Sequence, residues 1–395
     1  MSGPRTRVIL AATALPHEAE LVACASDHGL RIVRRCVDTA DLLASAAAEP
    51  SAAVVLTDAV PRLTRSAVDA LQAGGRMVVG VRVDADDDGR GLAALGVQEC
   101  LLAGPDARRT ATSIAECLQR QAPAAPSRAD VSRQPMLAGG RGRVVAVWGP
   151  PGAPGRTSVA IALADALARD GSRVLLVDAD MRAPSVGFAL GIAEAAPGLV
   201  GACRRAEGTG FDAGSVRECA RSVGAWSVIT GLERSDRWPE VRGSAFDAVV
   251  AACRESYDYT VVDVGADIDP PEDAPWAQDR HAAGRSAVAH ADRVVAVADS
   301  SALGAARLAE HWPALEALCP AAPTIIVRNR VHRGAPRGWS DAIAALGVRG
   351  RVHDLPARRA DLEECWGRGI APSESLRARG WARSVDRMCR AAMRG

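Results

Sequence analysis

The sequence predicts an α/β protein: a first domain of βα repeats on a doubly wound parallel sheet, then a larger domain with a mostly parallel sheet. Three observations predict it. Over residues 1–121 five short apolar runs alternate with helix-like segments. Residues 122–142 then lose all apolar periodicity and become rich in Pro, Gly, Ser and Arg, as a linker does. From 143 to 395 a second series of buried strand-like runs opens with an apolar run, a glycine turn and a long apolar helix.

The totals set the frame. A chain of 395 residues has room for two or three domains. Its 48 basic residues against 47 acidic leave a net charge of +1, which gives no footprint for nucleic acid. All 48 basic residues are arginine. With 3 Phe and 2 Tyr beside abundant Ala, this is a bias acting on the whole chain. The ten cysteines form no C-x-x-C pair and no His/Cys cluster, so they read as small buried apolar residues in a reducing compartment. The apolar run 8–15 is too short to cross a membrane and is followed by Pro16 and Glu18, so it reads as a first strand. The expectation is a cytoplasmic protein.

In the first domain the strand-like runs are 7–12, 31–37, 53–57, 76–83 and 97–102. The helix-like segments are 16–28, 39–49, 64–73, 89–95 and 107–120. This pattern resembles the response-regulator receiver domain, with its flavodoxin-like fold. Asp58, just after the third strand, stands where a receiver's phospho-acceptor would stand. The rest of that chemistry is missing. Ala11, Ala12 and Thr13 occupy the turn where acidic residues would hold Mg²⁺, and Leu102-Ala103-Gly104-Pro105 follows where a lysine is needed. Without charge neutralisation, phosphoryl transfer has no support. Asp58 therefore reads as a loop aspartate, and the domain as a degenerate receiver used for docking or dimerisation. The acidic run 84–88 lacks the Gly and Glu spacing of a calcium loop and reads as solvated.

The second domain is organised around residues 143–171. The run 144–148 reads as a buried strand; Ala160, Leu163, Ala164 and Leu167 share one helical face; Gly171 stands where a helix stops. A strand, a glycine turn and a helix aim backbone N–H groups at phosphates. The turn departs from the regular G-x-x-x-x-G-K-[ST] motif. Pro150 takes the first glycine position and Arg156 the lysine position, while Thr157 keeps the hydroxyl for Mg²⁺. Pro150, Pro151 and Pro154 carry no N–H, which leaves Gly152, Ala153, Gly155, Arg156, Thr157 and Ser158 as donors. Arg156 neutralises phosphate as a planar fork, where lysine would act as a compact ammonium. The alternative is a turn that only joins strand to helix.

Further on, Asp178-Ala179-Asp180 ends the next strand and is followed by a segment closing in Leu190-Gly191. A strand ending in D-x-D beside a phosphate loop brings carboxylates near a γ-phosphate; the bland alternative is that they cap the following segment. The run VLLVDADMRAPSVGFALGI after strand, loop and helix resembles the MinD/ParA group of P-loop ATPases. The resemblance continues at 259–262 with Asp263, at 291–297, at 324–327 with Asn329, and at 352–356. It implies an ATP- and Mg²⁺-binding domain in which Asp180 polarises the attacking water. It also implies that Asp178 supports the Mg²⁺ shell, that Asp263 holds Mg²⁺ through water, and that Asn329 reads the adenine edge. The family's second lysine, given across an ATP-bridged dimer, is replaced here by Pro151, and Arg182 is the nearby basic residue.

A degenerate receiver joined to such an ATPase resembles the pilus-assembly proteins CpaE and TadZ, and more so their actinobacterial relatives, the septum-site determining or "helicase/secretion neighborhood" CpaE-like proteins. The resemblance implies a homodimer that positions division, pilus or secretion machinery and hydrolyses ATP weakly. Two alternatives stand beside it: a non-hydrolysing scaffold that docks partners through the first domain, and a ParA-like DNA-partition ATPase, which the charge balance disfavours. Residues 270–292 read as loop, and the eight tryptophans as packing. The segment 376–393 sets Leu376, Trp381, Val385, Met388, Cys389 and Met393 among arginines. It reads as a last helix packed on the sheet, with a peripheral membrane helix as the alternative.

Overall fold

Alternation along the first strand decides how the first unit is layered. In β1 (Thr6–Ala11), Val8 and Leu10 face one side and Ile9 and Ala11 the other, and all four are buried. Both faces therefore need cover, and helices supply it. The chain continues through α1 (Glu18–Cys24, extended by a 3₁₀ turn Ala25–His28), β2 (Leu30–Arg35), α2 (Thr39–Ala48) and β3 (Ala53–Leu56). It closes with α3 (Arg65–Gln72), β4 (Val78–Arg82), α4 (Arg90–Ala94), β5 (Glu99–Leu102) and α5 (Ala107–Arg120). All strand pairs are parallel, in the order β2-β1-β3-β4-β5. That is the flavodoxin-like doubly wound order. Val8, Leu10, Val55 and Val79 pack on Leu21, Ile114 and Leu118 of α1 and α5. Ile9, Val54, Leu56 and Val78 pack on Leu42, Val68 and Leu71 of α2 and α3. Asp38 caps α2, its carboxylate accepting Asp41 N–H at 2.8 Å. Asp58 is exposed in the turn after β3.

This computed structural model describes residues 5–12, 14–72, 75–83, 90–120, 142–152, 155–192, 198–208, 210–269, 279–335 and 338–393. Thr13, the acidic run 84–88, almost all of the 122–142 linker, Ala153, Pro154 and residues 270–278 lie outside them. The chain divides into two compact units, 1–134 with 206–210, and 135–205 with 211–395.

The second unit opens with β6 (Arg143–Trp148), α6 (Arg156–Arg169), β7 (Val174–Ala179), α7 (Val186–Ala189), α8 (Gly198–Ala206) and α9 (Ala213–Cys219). Next come β8 (Arg221–Val223), β9 (Trp226–Ile229), α10 (Gly243–Ser256), β10 (Tyr259–Val264), α11 (Ala282–Ala289), β11 (Arg293–Asp299) and α12 (Ala302–Leu318). The last elements are β12 (Thr324–Val331), α13 (Trp339–Ala345), β13 (Arg351–Pro356), α14 (Arg359–Arg368) and α15 (Arg379–Met393). Eight strands form one sheet in the order β13-β12-β11-β6-β10-β7-β9-β8, parallel except for the β8–β9 hairpin at one edge.

The run expected at 144–148 is β6, in the middle of this sheet. Helix α6 is buried almost all round, from Ser158 to Ala168, because the sheet covers one side and α15 the other. Trp381, Val385 and Met388 of α15 are fully buried in that core. The apolar face of the last helix is thus already covered, as the packed-helix reading expects. Leu376 departs from that reading: it precedes the helix and is 80% exposed. The loop reading of 270–292 is corrected in part, since 282–289 fold as α11, with Ala283, Ala287 and Val288 buried on one face. All ten cysteines are free, eight buried and two half-buried.

Candidate functional site

In an open α/β sheet a ligand site forms at the carboxyl ends of the strands, where neighbouring connections leave in opposite directions. Strand β6 has β11 on one side and β10 on the other. The loop after β6 therefore sits at such a point. Its neighbours in register carry the carboxylates: Asp263 pairs with Val147 on one side and Asp178 on the other.

The loop runs from Gly149 to Gly155. Gly152 and Gly155 take φ of 71° and 93°, in the left-handed region that favours glycine. At Gly155 a Cβ would also lie 2.5 Å from Asn329 Nδ2, so the loop is seated against the end of β12. The first bond of α6 runs from Val159 N–H to Gly155 O, at 3.0 Å. The N–H groups of Arg156, Thr157 and Ser158 therefore have no partner within the helix and open at its N-terminus. With two glycine positions that no side chain fits, this is a cradle for an anion.

Thr157 and Asp263 stand together. Thr157 Oγ1 donates to Asp263 Oδ2 at 2.7 Å. Asp263 is 1% exposed, and among the described residues its other oxygen, Oδ1, has no hydrogen-bond partner. Burial, with Asp178 next to it, holds the Asp263 carboxyl well above the usual carboxylate range. An orphaned buried oxygen beside a hydroxyl suits a hard cation that takes oxygen ligands. Among the described residues no group of three or more His, Cys, Asp or Glu makes a metal cage.

Asp178 has another task. Its Oδ1 accepts Asp180 N–H at 3.1 Å, and its Oδ2 accepts Ser185 N–H at 2.9 Å and Val186 N–H at 3.0 Å. It thus folds the 180–186 turn and opens α7. Burial pushes its carboxyl up to about 7, although the three N–H groups act the other way. Asp180 is also engaged. Its Oδ1 accepts the N–H groups of Arg182 and Ala183, each at 2.9 Å, and its Oδ2 accepts Arg156 Nη2 at 3.2 Å. The other arm of Arg156 donates to Gly149 O at 3.1 Å. Arg156 therefore lies across the base of the loop, held at both ends. Gly265 brings the backbone after β10 against the same carboxylate, where a Cβ would meet Asp180 Oδ1 at 3.1 Å. Arg182 turns away to Asp267, at 2.7 Å.

Asn329 is buried, and its Oδ1 accepts Arg330 N–H at 2.9 Å. It lines a cavity of about 230 Å³ with Gly155, Ser158, Pro356, Leu362 and Trp366. This space adjoins the helix N-terminus; Pro356, Leu362 and Trp366 give it apolar surface for a flat ring, and Arg330, Arg358, Arg359 and Glu363 also line it. A second cavity of about 190 Å³ lies beside Asp180, Arg156, Gly265 and His281.

The structure thus gathers Gly152, Gly155, Arg156, Thr157, Ser158, Asp178, Asp180, Asp263 and Asn329 around one loop; Ala153 lies outside the described residues. Sequence reasoning did not find Leu362 and Trp366 as cavity walls, nor Arg307, whose guanidinium lies against Gly152. Pro356, in the HDLP run, was the one signal for that wall.

Solved structures share this architecture. A ParA-family ATPase from Chlorobium tepidum aligns with a TM-score of 0.53 and 18% identity, over 62% of this chain and 98% of that one. The septum site-determining protein MinD of Pyrococcus horikoshii, complexed with Mg-ADP, aligns with a TM-score of 0.50 and 16% identity, over 64% and 98%. A chain of the MinC:MinD cell division protein complex of Aquifex aeolicus gives 0.50 and 17%, over 63% and 96%. The chain has the fold of the MinD and ParA ATPases. A local match adds to this: 62 residues are 50% identical to an iron-sulfur cluster carrier protein of Deinococcus radiodurans, spanning 16% of this chain and 17% of that protein. No protein-family model matches the sequence.

Proposed function

We propose that this chain binds ATP with Mg²⁺ at the 149–158 turn and acts as a spatial-positioning protein of the MinD/CpaE kind. Its role would lie in septum-site determination or in localising a Tad-type pilus or secretion apparatus. One observation carries the nucleotide half of this reading: the buried, unpartnered Asp263 Oδ1 beside the Thr157 hydroxyl at the foot of a glycine turn. The Pyrococcus horikoshii neighbour, described with Mg-ADP, supports the choice of ligand.

In this reading Thr157 and Asp263 would hold Mg²⁺, Asp263 through water, and the ion would supply charge neutralisation at the phosphates. Asp178 supports that shell by fixing the turn that carries Asp180. The N–H groups of Gly152, Gly155, Arg156, Thr157 and Ser158 cradle the phosphates. The cavity beside Asn329 takes the adenine. Asp180 positions the attacking water once Arg156 leaves it for phosphate. Calorimetry with ATP, with and without Mg²⁺, on the wild type and Asp263→Ala tests the site. Mg²⁺-dependent binding that the variant loses is the expected result; no binding by the wild type would sink the reading.

We further assign the chain to the CpaE/TadZ group, with the first unit as a degenerate receiver that docks partners. The second unit would pair as an ATP-dependent homodimer. Light scattering with and without ATP·Mg²⁺ is expected to show the mass doubling only with nucleotide.

A second reading, a non-hydrolysing scaffold that docks partners through the first domain, is favoured by Arg156 being tied to Asp180 and Gly149, and by Pro151 at the family's second lysine. A phosphate-release assay separates the two: binding without turnover selects the scaffold. The DNA-partition reading lacks a basic surface charge to carry it, at a net +1.

A further inference from the structure

We propose that Arg307 is the cation that meets the terminal phosphate of the nucleotide in this loop, taking over from a helix the charge that Pro151 cannot supply. The inference rests on the nucleotide-binding reading above and adds a residue to it.

Arg307 lies in α12, which starts directly after the carboxyl end of β11. That start is fixed. Ser301 Oγ accepts Gly304 N–H at 3.1 Å as the N-cap, and a Cβ at Gly304 would collide with Asp299 O. The helix is pressed onto the strand end beside the loop. From there the Arg307 side chain reaches across to Gly152, where a Cβ would collide with its Nη1. Gly152 is therefore required twice, by its φ of 71° and by the guanidinium above it.

Three arginines around the loop differ in what they hold. Arg156 is bound to Gly149 O and Asp180. Arg182 is bound to Asp267. Arg307 makes no hydrogen bond or ion pair with any described residue. Its free fork lines a cavity of about 140 Å³ with Pro150, Pro151, Gly152, Asp299 and Ser301. Asp299 is the carboxylate in that cavity, and its Oδ1 accepts Ser301 N–H at 2.9 Å.

A half-buried guanidinium left without an anion, against a turn whose geometry suits phosphate, calls for one. The two prolines beside it remove two N–H donors from the cradle, so phosphate charge there has less backbone to meet. A planar fork with two parallel N–H groups replaces such donors well. Because the cradle at the α6 N-terminus takes the inner phosphates, Arg307 on the Gly152 side falls to the outermost one. It should then separate ATP from ADP.

The test is calorimetry of the full chain with AMPPNP·Mg²⁺ and with ADP·Mg²⁺, on the wild type, Arg307→Ala and Arg307→Lys. A charge-assisted hydrogen bond of this kind predicts that Arg307→Ala weakens AMPPNP roughly 10- to 100-fold and ADP far less. Arg307→Lys should recover part of the loss. Urea unfolding curves that match the wild type show that the alanine variant is folded. Wild-type binding with AMPPNP unaffected in Arg307→Ala, or with both nucleotides weakened equally, overturns the role of Arg307 and leaves the site standing. A wild type that binds neither nucleotide overturns the nucleotide-binding reading, and the role of Arg307 with it.

Discussion

Two buried carboxyls share the floor of the site, and at neutral pH neither is comfortable. Asp178 and Asp263 are paired in register on adjacent strands and are almost wholly buried. Both are raised above the unfolded-chain value, Asp178 to about 7 and Asp263 well above its ordinary range. The folded chain therefore keeps protons that the unfolded chain has released. Stability from this pair is complete below the unfolded value near 3.8 and is lost as pH rises through the folded values. Arg156 acts the other way on Asp263, and Asp180 adds to the rise. Asp263→Asn removes one of the charges while keeping an oxygen for Thr157. In EDTA and without nucleotide it should stabilise the chain by on the order of 1–3 kcal/mol at pH 8, and by less at pH 5. Urea unfolding at the two pH values checks this; a loss of stability at pH 8 would contradict it.

Sequence spacing could bring Thr157 and Asp263 under suspicion because each belongs to a local pattern of strand and turn. It could not tell that Asp178 spends both oxygens on backbone N–H groups, or that Arg156 is tied to Asp180. Those bonds depend on side-chain directions that no local pattern carries. Arg307 had no pattern at all, being one of 48 arginines in the middle of a helix.

Among the elements, α15 has the most to test. Its apolar residues recur at helical spacing, and that alone fits either a membrane surface or a core. The structure packs Trp381, Val385 and Met388 against the α6 layer. Arg169 of α6 reaches Asp386 of α15 at 2.7 Å. Met388→Ala should cost about 2–5 kcal/mol, as fully buried methionines do, while Arg383→Ala on the exposed face should stay within about 0.5 kcal/mol. Chemical denaturation measures both. Equal small effects would mean that the helix is not docked as described. Among the described residues no helix is long and apolar enough to cross a membrane.

Strands β6, β7, β10 and β11 are readable because each is a largely apolar run that reaches a Gly or Asp at its carboxyl end. The β8–β9 hairpin was not read, although Gly224-Ala225 between Val223 and Trp226 is a two-residue turn with Gly first, a known hairpin signal. The three residues of β8 carry too little period to stand out. Helix α11 reads as loop in the sequence because its Ala, Gly and Ser residues give a weak apolar stripe.

For the whole molecule, ligand binding to the folded state alone must raise stability. With ATP·Mg²⁺ at 100 times its Kd, the gain should be about 2.7 kcal/mol. Thermal unfolding with and without nucleotide reads it, and Asp263→Ala should remove it. The linear sequence determined the α/β class, the parallel strands that carry the site residues and the glycine turn ahead of α6, because hydrophobic period and turn chemistry act between residues close in the chain. Only the tertiary structure decided that β10 inserts between β6 and β7, and that β11 takes the other side of β6. From that order follow the meeting of Thr157 with Asp263, the seating of Gly155 on Asn329 and the reach of Arg307 to Gly152. Strand order is set by which buried surfaces and backbone ladders close together at long range, and that competition is written in no single stretch of the chain.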